Sequence, residues 1–487
     1  MILDSRGAPI VVKQKPKAVR ATYDAARTNS ENQYVWSNAD ALSARAAHSP
    51  AVRRTLRMRS RYALANCPLA RGILRKLADF VVGTGPRLQV ATEDREYNRA
   101  VETAFGEWMI ATKFARKLWQ MRFSKAQNGE AFGLFFTNLP LRTPVKLDMR
   151  TVESDQIADP TLATESSYGS DGIVFDDFGN PIAYRMLRQH PGDTTLISGF
   201  LPTDVDTVPA ANMVHYFHAE RPGQVRGVPE IAASLQLIAM RNEFFGNVLA
   251  AADTAARHAG VIESQSASDD PDELEPLDPV DLERRMFVTM PKGWKMSQLK
   301  AEQPTTTMQM FDRVLVGEIA RDFGMPYGLA ACDSSEYNFA SAKIDQTPWY
   351  QTVRIEQDQL EDDVIARAFK QWHAEARLIP GYLPPSPLED KRSAPPARWF
   401  WDGQELLDPR EAGAKAESLN KGFGSLGRMW ARQGHDPQEE IEADAKFFGI
   451  DVEEHKANLY RNIFMPPVTQ QGTVADDSPE DKPNGSK

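Results

Sequence analysis

Two helical patterns bracket a short acidic segment within residues 228–324, and this arrangement limits how the chain can fold. The first pattern opens at Pro229, whose fixed φ suits a first helical turn, and then repeats apolar residues at three- and four-residue steps. The second starts after Thr305 or Thr306, either of which can cap a helix, and Gly324 stops it. Two long helices joined by a segment too large to be their turn must pack together or carry that segment away from the body.

The composition bounds the class of protein. A chain of 487 residues can bury a sizeable core and is expected to hold several domains. No apolar run reaches the roughly 18 residues of a membrane span, so we expect no membrane association. Two cysteines and an N-terminus without an apolar stretch predict a chain of cytosolic origin. The net charge of −10 argues against tight nucleic-acid binding, but it is compatible with a protein past which nucleic acid slides.

A basic helical segment occupies residues 50–80. Its apolar spacing predicts a helix that Pro68 divides into two near Asn66. The many arginines of this segment could bind phosphate, could pair with acidic residues of another subunit, or could form a solvated or ion-paired face. Residues 1–30 lack periodicity and are predicted to form a flexible arm.

An α+β body follows the basic helices. The patterns predict a strand at Arg87–Val90, a helix over 92–125, and strands at Ala131–Phe136, Gly172–Phe175, Ala183–Leu187 and Met213–Phe217. Residues 177–180, Asp-Phe-Gly-Asn, are typical of a hairpin turn. Further on, a third long helix is predicted from about Pro348 to Leu378, then a proline-rich linker, then helices over 408–421, 424–433, 436–448 and 451–463.

Several motifs resemble binding or catalytic sites, but the secondary structure predicted around them does not fit such sites. The glycines at 83 and 85 follow a helix and lack a third glycine, and those at 422, 424 and 427 have no strand before them, so neither set predicts a dinucleotide site. His215 and His218 would point to opposite faces of a strand, which disfavours a metal site with Glu220. No catalytic motif is found, so the sequence predicts neither an enzyme nor a cofactor.

Four pieces of the sequence together resemble the lambda-type family of tailed-phage portal proteins, from about Tyr34 to Gly449. They are Arg59-Ser60-Arg61 with Asn66 and Val82-Gly83-Thr84-Gly85; the run from His215 to Pro229; Asn338 to Lys343, similar to Asn-Tyr-Ser-Ser-Ala-Arg; and Asp408-Pro409-Arg410-Glu411 with Gly422 and Gly434-His435-Asp436. The resemblance implies a portal fold with an α+β wing, a two-helix stem, a small α/β clip, a tunnel loop with a long helix, and a helical C-terminal crown.

On this resemblance the chain divides into ten segments. They are an arm (1–30), the wing (31–228), the first stem helix (229–259), the clip (260–304), the second stem helix (305–324), the tunnel loop (325–344), a long wing helix (345–378), the linker (379–400), the crown or outer wing (401–465) and a disordered tail (466–487).

The resemblance also implies a function and partners. It implies a ring of about twelve subunits at one vertex of a virion capsid, assembled in the bacterial cytoplasm, through which double-stranded DNA is packaged and ejected without sequence specificity. The implied partners are the terminase large subunit, which supplies the ATPase that this sequence lacks, a head–tail adaptor and the major capsid protein.

Three sets of residues are expected to carry this function. The tunnel loop would present Asp333, Ser334, Ser335, Glu336, Tyr337, Asn338 and Lys343 to the channel. The clip would dock partners through Asp269, Asp270, Asp272, Glu273, Glu275 and Asp278. A subunit interface would use Arg53, Arg57, Arg61 and Arg226.

Two alternatives remain open from the residues alone. A hydrolase could use acidic residues of the 131–220 body, and it would be expected as a monomer or dimer. A different head–tail connector, such as an adaptor, would be expected to be much shorter than 487 residues. The size of the isolated particle separates a ring from an enzyme.

Overall fold

A computed structural model of the chain describes residues 30, 33–159, 169–193, 205–256, 260–264, 294–298, 306–390, 392–403, 417–419, 425–432 and 436–464. The chain divides into two compact units, Met1–Ser49 and Pro50–Lys487, and each is described by itself. In the first unit, α1 (Ala44–Ala47) is capped by the Ser43 side chain, which accepts from the Ala46 amide.

The second unit contains the following elements in chain order. Its helices are α2 (Pro50–Asn66), α3 (Pro68–Val82), α4 (Arg95–Ala111), α5 (Phe114–Asn128), α6 (Leu235–Ala256), α7 (Thr306–Asp322), α8 (Tyr327–Ala331), α9 (Phe339–Leu360), α10 (Ala366–Ala376), α12 (Leu426–Arg432), α13 (Pro437–Phe448) and α14 (Val452–Phe464), with α11 covering residues 417–419. Its strands are β1 (Arg87–Val90), β2 (Glu130–Thr137), β3 (Leu147–Val152), β4 (Gly169–Ser170), β5 (Ile173–Phe175), β6 (Pro181–Leu187), β7 (Val205–Pro209), β8 (Met213–Phe217), β9 (Gly260–Ser264), β10 (Trp294–Gln298) and β11 (Ala397–Phe400). Short 3₁₀ turns cover Ser154–Gln156, Ala210–Asn212 and Glu230–Ala232, and a π-helical turn covers Glu361–Ile365.

The prediction of two helices around Pro68 is confirmed. Cys67 is extended, with φ of −118°, and Pro68 opens α3 at a position that needs no amide hydrogen. The single helix predicted over 92–125 is wrong, because α4 ends at Ala111 and α5 begins at Phe114. Lys113 between them has φ of +52°, a left-handed conformation that no helix can continue through.

Antiparallel sheets form the β-rich part of the body. One has the strand order β3-β2-β8, another β4-β5-β6-β7, and β1 pairs with β11. The predicted strands are present, and the hairpin turn at 177–180 is confirmed by Asp176, whose Oδ1 accepts from the Phe178 and Asn180 amides. Strands β3 and β7 were not predicted, and β11 occupies part of the segment predicted as a linker.

Aromatic packing between helices far apart in sequence forms the main core. The Phe105 ring contacts the rings of Trp108, Phe369 and Trp372 at centroid distances of 5.1 to 5.2 Å. The buried Trp108 indole donates to the Leu147 carbonyl over 2.7 Å, which ties α4 to β3. A smaller core around Phe132 lies between the two larger sheets.

The first of the two bracketing helices begins later than predicted. Residues 230–232 form a 3₁₀ turn, and α6 starts at Leu235, not at Pro229. The turn brings Glu230 against Arg122 of α5, and this contact takes the place of a first helical turn. The second helix, α7, matches its prediction closely, with Gly324 beyond its end at φ of +62°.

The third long helix begins earlier than predicted. Asn338 and Ser341 form a capping box that starts α9 at Phe339, so Pro348 lies inside the helix instead of opening it. A π-helical turn then separates α9 from α10. Among the C-terminal helices, α12, α13 and α14 follow the predictions, whereas Asp408, Pro409 and the tail from 466 lie outside the described residues.

Candidate functional site

The segment predicted to line a channel lies between α8 and the first turn of α9. Most of its seven predicted residues are exposed, and only Asp333 and Tyr337 are half-buried. Much of the predicted 325–344 loop is helical, and its longest irregular part is residues 332–338. A short exposed segment between two helices suits a surface that meets a ligand without being part of the core.

A close contact between Gly328 and Tyr337 closes this loop. The Gly328 amide donates to the Tyr337 hydroxyl over 3.3 Å, and a Cβ at Gly328 would come within 2.8 Å of the Tyr337 ring. Burial, together with the nearby Asp345 carboxylate, raises the pKa of the Tyr337 hydroxyl, so this group stays protonated and polar at neutral pH.

An acidic turn forms the exposed tip of the loop. Cys332 has φ of +54°, and the Asp333 carboxylate accepts from the Ser335 amide over 3.0 Å. Hydrogen bonds from Ser335 lower the pKa of Asp333, so its charge is kept at neutral pH. The tip therefore presents negative charge and hydroxyl groups.

An ion pair draws the loop back along α7. Arg313, in the middle of α7, pairs with Glu336, and its guanidinium lies 4.8 Å from the centre of the Tyr327 ring. Both partners of the ion pair are well exposed, so the pair positions the loop more than it stabilises the fold. At the other end of the loop, Asn338 Oδ1 accepts from the Ser341 amide over 2.8 Å.

The residues predicted to dock partners, Asp269 to Asp278, lie outside the described residues. The chain enters and leaves that region through a two-stranded ribbon. Strands β9 and β10 are antiparallel, with Ser264 opposite Trp294 and Gly260 opposite Gln298. This ribbon is the part of the predicted 260–304 segment that the structure describes.

The four arginines predicted at a subunit interface instead pair with acids of their own chain. Arg57 and Arg226 contact the fully buried Glu130, and Arg57 Nη1 donates to Asp155 over 2.9 Å. Arg53, which is also buried, pairs with Asp171. The position of these three in the interior leaves no surface for a neighbour, which corrects the prediction for them. Arg61, whose side chain is 30% exposed and pairs with Asp155 over 2.7 Å, keeps its interface role only as a prediction.

Electrostatics keep this interior cluster charged. Burial alone would raise the pKa of Glu130, but Arg226 and Arg57 outweigh it and hold the pKa well below its usual range. Burial and the neighbouring Arg226 lower the pKa of Arg53 to about 9. Burial also lowers the pKa of His215, whose Nε2 lies 3.0 Å from Glu130, so this ring is neutral at pH 7.

A second buried cluster lies beside the first. Arg122 and Lys125 of α5 both contact Glu356 of α9 and Glu230 of the 3₁₀ turn, at distances of 2.8 to 3.5 Å. The two clusters therefore hold residues 226–230, where the chain leaves the body and enters α6. Burial would raise the pKa of Glu356, but Arg122 and Lys125 lower it, so this cluster is ionised as well.

Sequence reasoning did not find these clusters. One signal was present: Glu130 directly precedes the largely apolar run Ala131–Phe136, where a buried charge needs a partner. The run from His215 to Pro229, which carried the resemblance most specifically, contains Arg226 and Gly227, and the structure gives those two residues a structural role.

The described residues offer one set of neighbouring metal-type ligands, Glu153, Asp155 and His190. They do not fit a metal. His190 Nδ1 accepts from the Gly192 amide over 3.0 Å, so in the neutral ring the proton is on Nε2, the atom that faces the two carboxylates. Arg61 already pairs with Asp155 at the same place. The disfavoured set at 215, 218 and 220 is not brought together either, since His215 contacts Glu130.

Among the described residues, no helix combines the length and the apolar content that crossing a membrane requires. The helices of the candidate site instead have mixed faces, with charged residues along α6 and α7.

Comparisons with known proteins agree on one family. Residues 31–357 match the family model described as phage portal protein, lambda family. A probable portal protein of Halomonas phage phiHAP-1 is 24% identical over 464 residues, which cover 89% of this chain and 87% of that protein.

Solved structures give a more distant likeness. The match to the neck of an empty gene transfer agent particle, computed with C6 symmetry, covers 77% of this chain and 92% of the chain in that structure. The two chains are 13% identical, and the TM-score is 0.43. The match to the neck of a native particle, computed with C12 symmetry, covers 80% of this chain and 95% of the chain in that structure. Here the identity is 15% and the TM-score is 0.40. A likeness this distant carries no conclusion about assembly.

Proposed function

The chain belongs to the lambda family of phage portal proteins, and we propose that about twelve copies of it form a ring through which double-stranded DNA enters and leaves a capsid. As a member of this family it is a structural protein and not an enzyme. The proposal assigns α6 and α7 to the stem, the segment containing β9 and β10 to the clip, and residues 332–338 to the channel wall.

The pairing of α6 with α7 supports the assignment of a stem. Arg241 Nε donates to Asp312 over 2.6 Å, and the Ser234 hydroxyl donates to Asp322 over 2.7 Å. Residues later in the first helix therefore contact residues earlier in the second, so α6 and α7 are antiparallel. Strands β9 and β10 are also antiparallel, so both described pairs of the 229–324 segment have the pairing that a hairpin requires.

Exposed apolar side chains on both helices support contact with neighbouring copies. Large apolar side chains stand exposed along both helices: Met240 (57%), Leu249 (69%), Met310 (69%), Phe311 (49%) and Val314 (58%). Burying each of them fully would contribute roughly 1.5 to 3 kcal/mol. A ring, in which one flank of each hairpin meets a different flank of the next, would supply that burial.

The charge of the loop supports a channel that does not hold DNA. Duplex DNA gains salt-dependent affinity from each lysine or arginine that neutralises a phosphate. Asp333 keeps its negative charge, and Arg313, which contacts the loop, is paired with Glu336. A channel wall of this kind repels the phosphate backbone of the DNA weakly and lets the duplex move.

The partners follow from what this chain lacks. The sequence contains no phosphate-binding loop of the Walker type, so a separate ATPase, the terminase large subunit, would dock at the acidic clip. A head–tail adaptor and the major capsid protein would bind the same ring in the virion. All of these contacts are protein–protein contacts at the rim, away from the DNA path.

The observation that carries the proposal is the set of exposed apolar side chains on α6 and α7, and particle size tests it. Purified protein should form a particle near twelve times 54.4 kDa. Leu249→Asp combined with Val314→Asp should leave monomers, whereas Leu139→Asp, a substitution at a residue 74% exposed on the β2–β3 connection, should leave the ring intact. A wild-type monomer or dimer would contradict the ring.

A further inference from the structure

The buried face of helix α2 carries two arginines, and its exposed face carries large apolar side chains. Its buried positions are Arg53, Arg57, Ser60 and Leu64, and the two arginines belong to the interior ion-pair cluster. A surface helix normally has the reverse arrangement, with an apolar stripe towards the core. The interior of the chain therefore accounts for these four positions but not for the exposed apolar residues of α2.

The outward face of α2 carries three large apolar side chains. Val52, Met58 and Tyr62 are 41%, 62% and 73% exposed, and Met58 and Tyr62 lie one helical turn apart. Arg54 and Arg59 are exposed on the same side, and α2 contains no acidic residue. A single exposed apolar residue is ordinary, but an apolar, basic face opposite a charged interior indicates a surface that another molecule covers.

We propose that a second copy of this chain covers the outward face of α2, through the end of its α13–α14 pair. The proposal rests on the ring of the proposed function. It also replaces the predicted interface arginines, because the side of α2 that meets a neighbour is the one opposite Arg53 and Arg57.

The α13–α14 pair has the complementary surface. Residues 436–464 carry eight Asp or Glu against three Lys or Arg. At the end of α13, Phe447 and Phe448 are 83% and 64% exposed, with ring centroids 5.2 Å apart, and Asp444 lies one turn before them. Exposed aromatic rings beside acids match Met58 and Tyr62 beside arginines, both in polarity and in charge.

The geometry of a ring allows this contact. In a cyclic ring each subunit uses two different surfaces, one for the neighbour on each side. A basic, apolar surface and an acidic, aromatic surface on one chain form such a heterologous pair, and like charges would disfavour either surface meeting itself.

Disulfide formation between copies tests the contact directly. In a Cys332→Ser background the remaining natural cysteine, Cys67, is buried. Tyr62→Cys and Phe447→Cys are combined in that background, and assembled particles are oxidised mildly and run on a non-reducing gel. We expect a ladder of covalent multimers. The matched control, Tyr62→Cys with Leu139→Cys, should stay monomeric on the gel.

Maleimide labelling of Tyr62→Cys alone separates the outcomes. We expect fast labelling of monomers and at least tenfold slower labelling of assembled particles. Equal labelling rates in monomers and particles would overturn the inference while leaving the ring intact. Slow labelling already in the monomer would mean that the same chain covers this face of α2, which would overturn the inference as well. Protection without a ladder would overturn the pairing with α13–α14. Failure of the wild-type chain to form a ring would instead contradict the proposed function.

Discussion

Arg226 and Glu130 form a buried pair at the point where the chain leaves the body for α6. Arg226 Nη2 donates to Glu130 Oε1 over 2.7 Å, and the Gly227 amide donates to Oε2 of the same carboxylate over 3.0 Å. Arg226 also donates to the Ser154 and Ile157 carbonyls of one segment and to the Asp171 carbonyl of another. One side chain thus binds three separate parts of the body, and the base of the helical hairpin is fixed in position.

Removing the charge of Glu130 should destabilise the body strongly. Glu130→Gln leaves Arg57 and Arg226 buried without their shared partner, and breaking a buried pair in this way costs roughly 3 to 5 kcal/mol. The free energy of unfolding, from urea denaturation at pH 7, measures the effect. Glu153→Gln is the matched control, because Glu153 is 62% exposed and its ion pairs should contribute about 1 kcal/mol or less. Equal effects of the two substitutions would refute the role of Glu130.

The π-helical turn should make stability fall as pH rises. Glu361 accepts from the Trp401 indole over 2.5 Å, and burial, together with Asp358 and Asp362, raises its pKa from 4.5 to about 7. Between these values the folded chain holds a proton that the unfolded chain has lost, so the free energy of unfolding decreases from pH 4.5 to pH 7. Glu361→Gln keeps the acceptor and cannot ionise. It should be more stable than wild type at pH 8, with a difference that shrinks at pH 5; a constant difference would rule the mechanism out.

Close backbone contact makes Gly227 irreplaceable. A Cβ at this position would lie 1.9 Å from the Gly129 carbonyl oxygen, so Gly227→Ala must displace the backbone and should destabilise by at least the roughly 1 to 3 kcal/mol of an overpacked core. Gly72→Ala is the comparison, since Gly72 lies exposed in α3 with nothing within 4 Å and the change should stabilise by about 0.5 to 1 kcal/mol. Thermal unfolding of both variants gives the answer; a neutral Gly227→Ala would disprove the contact.

Charge on the channel loop should control how DNA leaves the ring. Asp333→Lys with Glu336→Lys places two new cations on each loop, and each phosphate they neutralise steepens the salt dependence of binding by about 0.9 in the log–log slope. Binding of a short duplex, measured from about 50 to 200 mM salt, should be tighter than wild type and strongly salt-dependent. Asp333→Asn with Glu336→Gln separates loss of negative charge from gain of positive charge. An unchanged slope in the lysine variant would place the loop away from the DNA.

The sequence predicted local structure well wherever one signal dominated. Pro68 marked the break between α2 and α3, and short runs of β-favouring residues marked β2 and β8. The prediction for the start of α6 failed at a contact that is distant in sequence. Glu230 binds Arg122, 108 residues away, and so delays the start of α6.

The sequence predicted the residues of the candidate site only in part. Asn338 and Ser341, close in sequence, could have revealed the start of α9 through their capping pattern. The partners of Arg57 and Arg226 could not be read in that way, because Glu130 lies 73 and 96 residues from them and only the folded β2 strand brings it near. Charge on a helix therefore predicted a surface where the structure has an interior.

Cys332 offers the most direct test of the central claim, that the loop lines the hole of a ring. It is exposed at the tip of the loop, whereas Cys67 is buried, so a maleimide-linked gold particle should label Cys332 alone. Electron-microscopy averages viewed down the symmetry axis should then contain a ring of about twelve subunits with gold density at the central hole, and Cys332→Ser rings should lack that density. A closed particle without a hole, or gold at the outer rim of a ring, would contradict the account.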